Sequence, residues 1–460
     1  MAPTRREALA GMVAAPAAAA AGAARAAPRP NIVFILADDL GYADLGCYGR
    51  RDYRTPHIDR LAAEGLLLTQ AYANSPVCSA TRTALITGRY QYRLPVGLYE
   101  PITDPRPDQG LPAGFPTLPA QLRKAGYRTS LIGKWHLGEV PAHGPLRSGY
   151  ERFFGIPGGS SDYFTHLAEP KGPPNAFDGL WEGEVRADRP GYLTDLLGDR
   201  AAQEIAAYGR SGQPYFLSLH FTAPHWPWEG PADRSVSATL SRLQDFEGGS
   251  LATYAAIMRS LDDNVGKVLA ALDRSGHAHD TIVIFTSDNG GERFSDVWPL
   301  VGGKSELLEG GIRVPALVRW PAAIGRARRS DQVTVTMDWL PTLLAAAGVQ
   351  PDAAYPSDGD DVLRILCGGA PVRPRKLFWR FKSAEQAAVR EGDWKYLKLA
   401  AKESLFDLGV DVRERADLKA LHPEIFRRLR SAFAAWNVGM LPYGPDGPSA
   451  SSKGFLSDRY

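Results

Sequence analysis

Asn31-Ile32-Val33-Phe34-Ile35-Leu36-Ala37-Asp38-Asp39 puts an unbroken apolar run behind one polar residue and ends it on paired aspartates. A run that is apolar at every position, without alternation, reads as a strand buried on both faces, as in a parallel sheet covered by helices. Comparable runs recur at 128–133, 215–220, 281–287 and 313–319, and helical patterns at 56–64, 117–125, 252–273 and 337–347 lie between or beside them. This alternation predicts an α/β fold with a large, mostly parallel central sheet flanked by helices. Polar residues sit where the runs stop: Asp38 and Asp39 after the first, Lys134 and His136 after the second, His225 after the third, Asp288 and Asn289 after the fourth. In open α/β sheets ligands bind beyond the carboxyl ends of the strands, so these four segments are expected to meet on one edge.

Past Gly348 the pattern changes. A Pro/Asp/Gly-rich stretch at 351–361 gives way to short alternating runs at 376–382, 386–391 and 394–399 and an amphipathic helical pattern at 422–436. These predict a smaller C-terminal α+β subdomain with an antiparallel sheet. The expected division is a leader at 1–29, a catalytic domain at 30–350, the subdomain at 351–445 and a tail at 446–460. The leader joins Arg5-Arg6 to an alanine-rich stretch and the small-X-small site Ala24-Arg25-Ala26, which reads as an export signal of twin-arginine type. A periplasmic or secreted protein follows from it.

Composition excludes several classes. With 460 residues, 44% of them hydrophobic, the chain can bury a large core, and a net charge of +2 with scattered basic residues offers nucleic acid no stripe. No later stretch has the length and apolarity of a membrane span. Three cysteines, Cys47, Cys78 and Cys367, are too few for a disulfide scaffold. Cys47 and Cys367 read as small buried hydrophobes. Cys78 opens a helical pattern with Arg82 one turn on, which would make it either a low-pKa thiol or a buried structural cysteine.

Cys78-Ser79-Ala80-Thr81-Arg82, continuing to Leu85-Ile86-Thr87-Gly88-Arg89, resembles the signature of the type I sulfatases, although the family usually has proline where this chain has Ala80. The resemblance extends through Asp38-Asp39-Leu40-Gly41, Gly133-Lys134-Trp135-His136, Pro224-His225-Trp226-Pro227, Ser287-Asp288-Asn289-Gly290, and Lys304 before Glu309-Gly310-Gly311-Ile312-Arg313. It implies an alkaline phosphatase-like fold and hydrolysis of sulfate monoesters, aryl or carbohydrate, with Cys78 oxidised to formylglycine by a maturation enzyme. It also implies one calcium ion on Asp38, Asp39, Asp288, Asn289 and the residue at Cys78. These side chains offer hard oxygens, as calcium prefers, whereas a two-zinc phosphatase site would carry histidine where Asn289 stands.

Arg82, Lys134 and Lys304 would neutralise the sulfate, His225 would protonate the leaving alcohol, and His136 would assist the hydroxyl of the hydrated aldehyde. Ser160 and Ser161, in the glycine-rich loop after Gly155, are the candidate substrate contacts, and Trp226, Trp228 and Trp298 are open between stacking and packing. Expected partners are a sulfated small molecule or glycan. The alternatives are a formylglycine-dependent phosphonate or phosphate ester hydrolase and an inactive sulfoglycan-binding homologue.

Overall fold

The computed structural model describes residues 29–103, 108–168, 178–241, 243 and 248–444. The expected leader, apart from Arg29, and the expected tail lie outside them. The opening strand Asn31–Ala37 is buried along its length. Val33, Ile35 and Ala37 enter one hydrophobic cluster, and Ile32, Phe34 and Leu36 enter another on the opposite face. That two-sided burial is why the run does not alternate: with side chains pointing to opposite faces in turn, both parities must be apolar.

Eleven described strands form the central sheet, with Asn31–Ala37 between Tyr215–His220 and Thr281–Ser287, parallel to both. Arg128–Gly133 lies parallel beside Tyr215–His220, and Arg152–Gly155 beside it in turn. On the other side Arg313–Arg319 runs antiparallel to Thr281–Ser287, and Leu66–Tyr72 antiparallel to Arg313–Arg319. The sheet is thus mixed but mostly parallel. Two reversals return Leu66–Tyr72 to the direction of the central strands, so the chain leaving Tyr72 toward Cys78 emerges at the same edge as Asp38, Lys134, His225 and Asp288.

One sheet face is covered by Leu193–Gly209 and Leu251–Arg274; the latter buries Tyr254, Met258, Leu261, Val265, Val268 and Leu272 at helical spacing. Each such side chain contributes about 1.5–3 kcal/mol. The expected 337–347 helix begins instead as a single 3-10 turn, Thr336–Asp338, and is α-helical over Trp339–Ala346.

The C-terminal unit is a four-stranded antiparallel sheet with strands in chain order, Lys376–Phe381, Gln386–Glu391, Trp394–Leu399 and Lys402–Asp407. The helix Pro423–Val438 covers one face through Leu429. The other face, through Trp379, Phe381, Leu397 and Phe406, packs on Val77, Ala80 and Ala84. The subdomain therefore buttresses the helix that begins at Cys78. Among the described residues no helix is long and apolar enough to cross a membrane.

Candidate active site

Cys78–Thr87 forms a helix buried at every position, stopped by Gly88 in the left-handed conformation (φ 66°). Val77 gives no side-chain cap, so first-turn N–H groups are left for an anion. Thr81 Oγ1 donates to the Ser75 carbonyl and accepts from its N–H, both at 3.0 Å, which fixes the turn ahead of Cys78. Ser305 N–H donates to the Pro76 carbonyl at 2.9 Å and brings Lys304 to the same place.

The expected ligand residues converge. Asp38, Asp39, Asp288 and Asn289 are all buried, and the Cys78 sulfur lies with carboxylate oxygens of Asp38 and Asp288 in a group whose members are within 4.8 Å of one another. The two acidic loops are knitted together. Asp39 N–H donates to Asp288 Oδ1 at 3.3 Å, Leu40 N–H to Ser287 Oγ at 3.0 Å, and Asn289 Nδ2 to Asp39 Oδ1 at 2.7 Å. Asp39, His136 and Ser305 each hold a positive φ of 60° to 69°, a strained conformation for residues with a Cβ, and all three lie in or beside this cluster.

The cations interleave with the acids. Lys134 Nζ donates to Asp38 Oδ2 at 2.5 Å and Lys304 Nζ to Asp39 Oδ2 at 2.7 Å. Arg82 grips Asp288 Oδ2 through Nε at 2.9 Å and pairs through its second nitrogen at 2.8 Å, while its third donates to the Lys134 carbonyl at 3.1 Å. Burial, then the neighbouring Asp38, pushes the Asp288 carboxyl up to about 6 against the pull of Arg82.

Cys78 is not the low-pKa thiol that its helix position and Arg82 suggested. Burial pushes the thiol up to about 11, outweighing Lys134, so unmodified it is a protonated and weakly nucleophilic group. Cys47 and Cys367 are half-buried, packed against the core clusters from outside.

The two selected histidines present defined nitrogens. His136 Nε2 is 2.7 Å from the Ile102 carbonyl, and His225 Nδ1 is 2.6 Å from the Trp226 carbonyl. A carbonyl only accepts, so those nitrogens carry the proton, leaving His136 Nδ1 and His225 Nε2 to exchange protons at the site. His225 Nε2 lies 3.5 Å from Asp39 Oδ2. Burial, then the flanking lysines, holds both rings well below the usual histidine range, so both are neutral before an anion arrives.

Two site residues escaped the sequence reading. Glu292 pairs with Lys304 at 3.3 Å, and its signal was the acid four residues past Asp288 across two glycines. His220, last residue of its strand, stands 3.4 Å from Arg82 and 3.3 Å from the Lys134 carbonyl. The strand-end rule that singled out Asp38 would have found it.

The substrate candidates divide. Gly159 sits against the His136 ring, where a Cβ would come within 2.5 Å of Nε2, so its loop walls the site. Ser161 is buried with no hydrogen-bond partner for its hydroxyl, and Ser160 is half-buried; neither bonds to the acidic set among the described residues. Trp228 is a core residue, buried against Tyr254 and Phe294. Trp226 lies beside the site, its ring centroid 4.3 Å from His225 and 5.9 Å from Lys304 Nζ, whereas Trp298 is exposed.

A divalent cation suits this donor set. Asp38 Oδ1 and Asn289 Oδ1 are buried without hydrogen-bond partners, and such oxygens are costly unless something coordinates them. They are oxygens of the hard type that calcium or magnesium prefers.

The family model described as Sulfatase matches residues 30–349. Arylsulfatase J of Mus musculus is 30% identical over an alignment covering 92% of this chain and 79% of that protein. N-acetylgalactosamine-6-sulfatase of Rattus norvegicus is 34% identical over 81% and 72%. Among solved structures, Ps i-CgsB in complex with k-i-k-neocarrahexaose superposes with a TM-score of 0.83 at 28% identity, covering 92% of this chain and 95% of that one.

Proposed function

Since this chain belongs to the sulfatase family and is a sulfuric ester hydrolase, we propose that it removes sulfate from a carbohydrate sulfate ester, using formylglycine made from Cys78 and one calcium ion. The observation that carries the reading is the Cys78 sulfur within 4.8 Å of Asp38 and Asp288 oxygens, ringed by Arg82, Lys134 and Lys304. When present, the hydrated formylglycine would supply the attacking hydroxyl, and calcium, which Asp38, Asp39, Asp288, Asn289 and residue 78 would hold, would supply positive charge to the bound sulfate. The carbohydrate preference draws on the names of the galactosamine-sulfatase relative and the carrahexaose complex. Export through residues 1–29 belongs to the same reading, as does a maturation enzyme that oxidises Cys78.

Charge favours a sulfate monoester over a phosphate monoester; phosphate diesters and phosphonate monoesters are monoanions as well, and turnover has to separate them. Four carboxylates, Asp38, Asp39, Asp288 and Glu292, meet three cations, Arg82, Lys134 and Lys304, leaving one formal negative charge. A divalent ion converts this to one positive charge, which a sulfate monoester, a monoanion, cancels. A phosphate monoester dianion would leave the buried site with excess charge, at a cost set by its low dielectric. Comparing turnover of matched aryl sulfate, phosphate diester and phosphonate ester by matured protein tests the assignment; preference for the phosphorus esters would reverse it.

The residues then have separable tasks. Arg82, fixed by Asp288 and the Lys134 carbonyl, and the two lysines hold the anion in place. His136 Nδ1, buried without a hydrogen-bond partner, is the nitrogen that would take or return a proton at the residue 78 hydroxyl. His225 Nε2 picks up its proton as the bound anion offsets Lys304 and Lys134, and delivers it to the departing oxygen. His225→Ala is expected to cost about 10²–10⁴-fold on alkyl sulfates and far less on 4-nitrophenyl sulfate, whose leaving group needs no proton. Equal losses on both would remove His225 from the acid role.

Metal removal should be visible without turnover. A cation at a hundred times its Kd adds about 2.7 kcal/mol to the folded state, so chelation should lower the melting temperature and calcium should restore it better than magnesium. A melting curve indifferent to chelator and calcium would count against the site.

A further inference from the structure

The loop between Glu292 and Lys304 is closed at its neck by the Lys304 N–H donating to the Gly291 carbonyl at 3.0 Å. Glu292 and Lys304, which bound the loop, belong to the charge cluster, so the loop is part of its rim. Its body is rigidly seated. Val297, Leu300 and Val301 are buried, Ala43 N–H donates to the Asp296 carbonyl at 2.8 Å, and Asp296 N–H donates to the buried Asp44 at 2.8 Å. On this braced loop Trp298 is 62% exposed, with its backbone N–H donating to Asp296 Oδ1 at 2.8 Å. Trp298 is six residues from Lys304, so the two cannot be more than about 20 Å apart along the chain.

Arg413 comes to Trp298 from the C-terminal subdomain, its guanidinium 4.9 Å from the indole centroid. That contact is not accidental slack. The next residue, Glu414, is clamped to the catalytic domain by accepting the Glu309 N–H at 2.6 Å, and is held within its own subdomain by pairing with Lys395 at 2.8 Å. Among the described residues Arg413 makes no hydrogen bond or ion pair, and its Nε is buried without a partner. An unpaired arginine braced on an exposed indole whose backbone is fixed is a preorganised donor for an anion attached to a flat ring.

We propose that Trp298 and Arg413 form a second binding position for a sulfated oligosaccharide: the open indole face receives a sugar ring beyond the one losing its sulfate, and the guanidinium receives an anionic group carried on that ring. This deepens the sulfatase reading and rests on it for the identity of the ligand. It makes the substrate a chain with more than one charge rather than an isolated sugar or a phenol.

Calorimetric titration in a Cys78→Ala background, where turnover cannot consume the probe, decides it. The probes are carrageenan-type and chondroitin-type sulfated hexasaccharides, with galactose 6-sulfate for comparison. At least one hexasaccharide is expected to bind about tenfold or more tightly than the monosaccharide, and Trp298→Ala and Arg413→Gln are each expected to erase most of that advantage. No hexasaccharide binding better than the monosaccharide, or an advantage that survives both substitutions, would overturn the proposal. Hydrolysis of 4-nitrophenyl sulfate by protein with Cys78 intact and matured reports separately on the catalytic reading. Absent hydrolysis with Trp298-dependent binding sinks that reading alone, and hydrolysis without hexasaccharide preference sinks this one alone.

Discussion

Cys78→Ala is expected to abolish sulfate ester hydrolysis, by on the order of 10⁴–10⁶-fold as for removal of other nucleophiles, while the protein stays folded. The side chain is small, and its loss leaves a cavity costing roughly 1 kcal/mol beside a helix held from both ends. The same reasoning predicts that protein bearing the unconverted thiol is inactive. With its thiol pushed up to about 11, residue 78 is a thiolate in on the order of one molecule in 10⁴ at neutral pH. Activity across preparations should therefore scale with the fraction of residue 78 that peptide mass spectrometry finds as aldehyde. Cys78→Ser separates the need for an aldehyde from the need for any hydroxyl, because a serine has no second hydroxyl with which to expel sulfate. It should turn over once at most. Sustained turnover by the alanine variant, or by fully unconverted protein, would end the assignment of Cys78.

Strand ends were the legible part of this molecule. Five of the strands, Asn31–Ala37 through Arg313–Arg319, follow from β-rich apolar runs that do not alternate strictly, because burial on both faces excludes the half-polar pattern. Leu66–Tyr72 passed unseen: its Leu66-Leu67-Leu68-Thr69-Gln70 stretch sits directly after a helix and reads equally as its continuation. Leu193–Gly209 was missed because its buried glycine and small residues dilute the apolar stripe. In the site, residues defined by a motif were found, and those defined by partners were not. Glu292 and His220 matter through their partners: Lys304 meets Glu292 across the loop that separates them, and Arg82 meets His220 from a distant part of the chain. Protonation was also beyond reach. The thiol of Cys78 looked activated from its helix position, and only its depth in the protein reverses that.

Lys395→Met is expected to cost about 3–5 kcal/mol, because it leaves buried charge without its partner. Lys395 Nζ lies 2.9 Å from Glu309 Oε1 and 2.8 Å from Glu414 Oε1, all three being buried. One ammonium cannot satisfy two carboxylates equally. Glu309 also has Arg313 and the Tyr72 hydroxyl, so these and Lys395 hold it below the usual carboxylate range, whereas burial, with Glu309 beside it, pushes Glu414 up. With methionine at 395, Glu414 keeps Glu309 as its nearest charge and rises further. A carboxyl with a raised folded pKa binds more protons in the native state than in the unfolded one, so its contribution to stability falls as pH rises. The variant should therefore lose stability more steeply than the parent between about pH 5 and 8, and Lys395→Met/Glu414→Gln should flatten that slope and recover part of the loss. Denaturant midpoints measured across this range decide the matter: a loss independent of pH, or one the second substitution leaves unchanged, would show that Lys395 acts by packing rather than by charge. Because the triad joins the C-terminal sheet to the segment following Lys304, its loosening should also weaken oligosaccharide binding through Arg413 before it affects the Cys78 helix, which the apolar face of that sheet continues to cover.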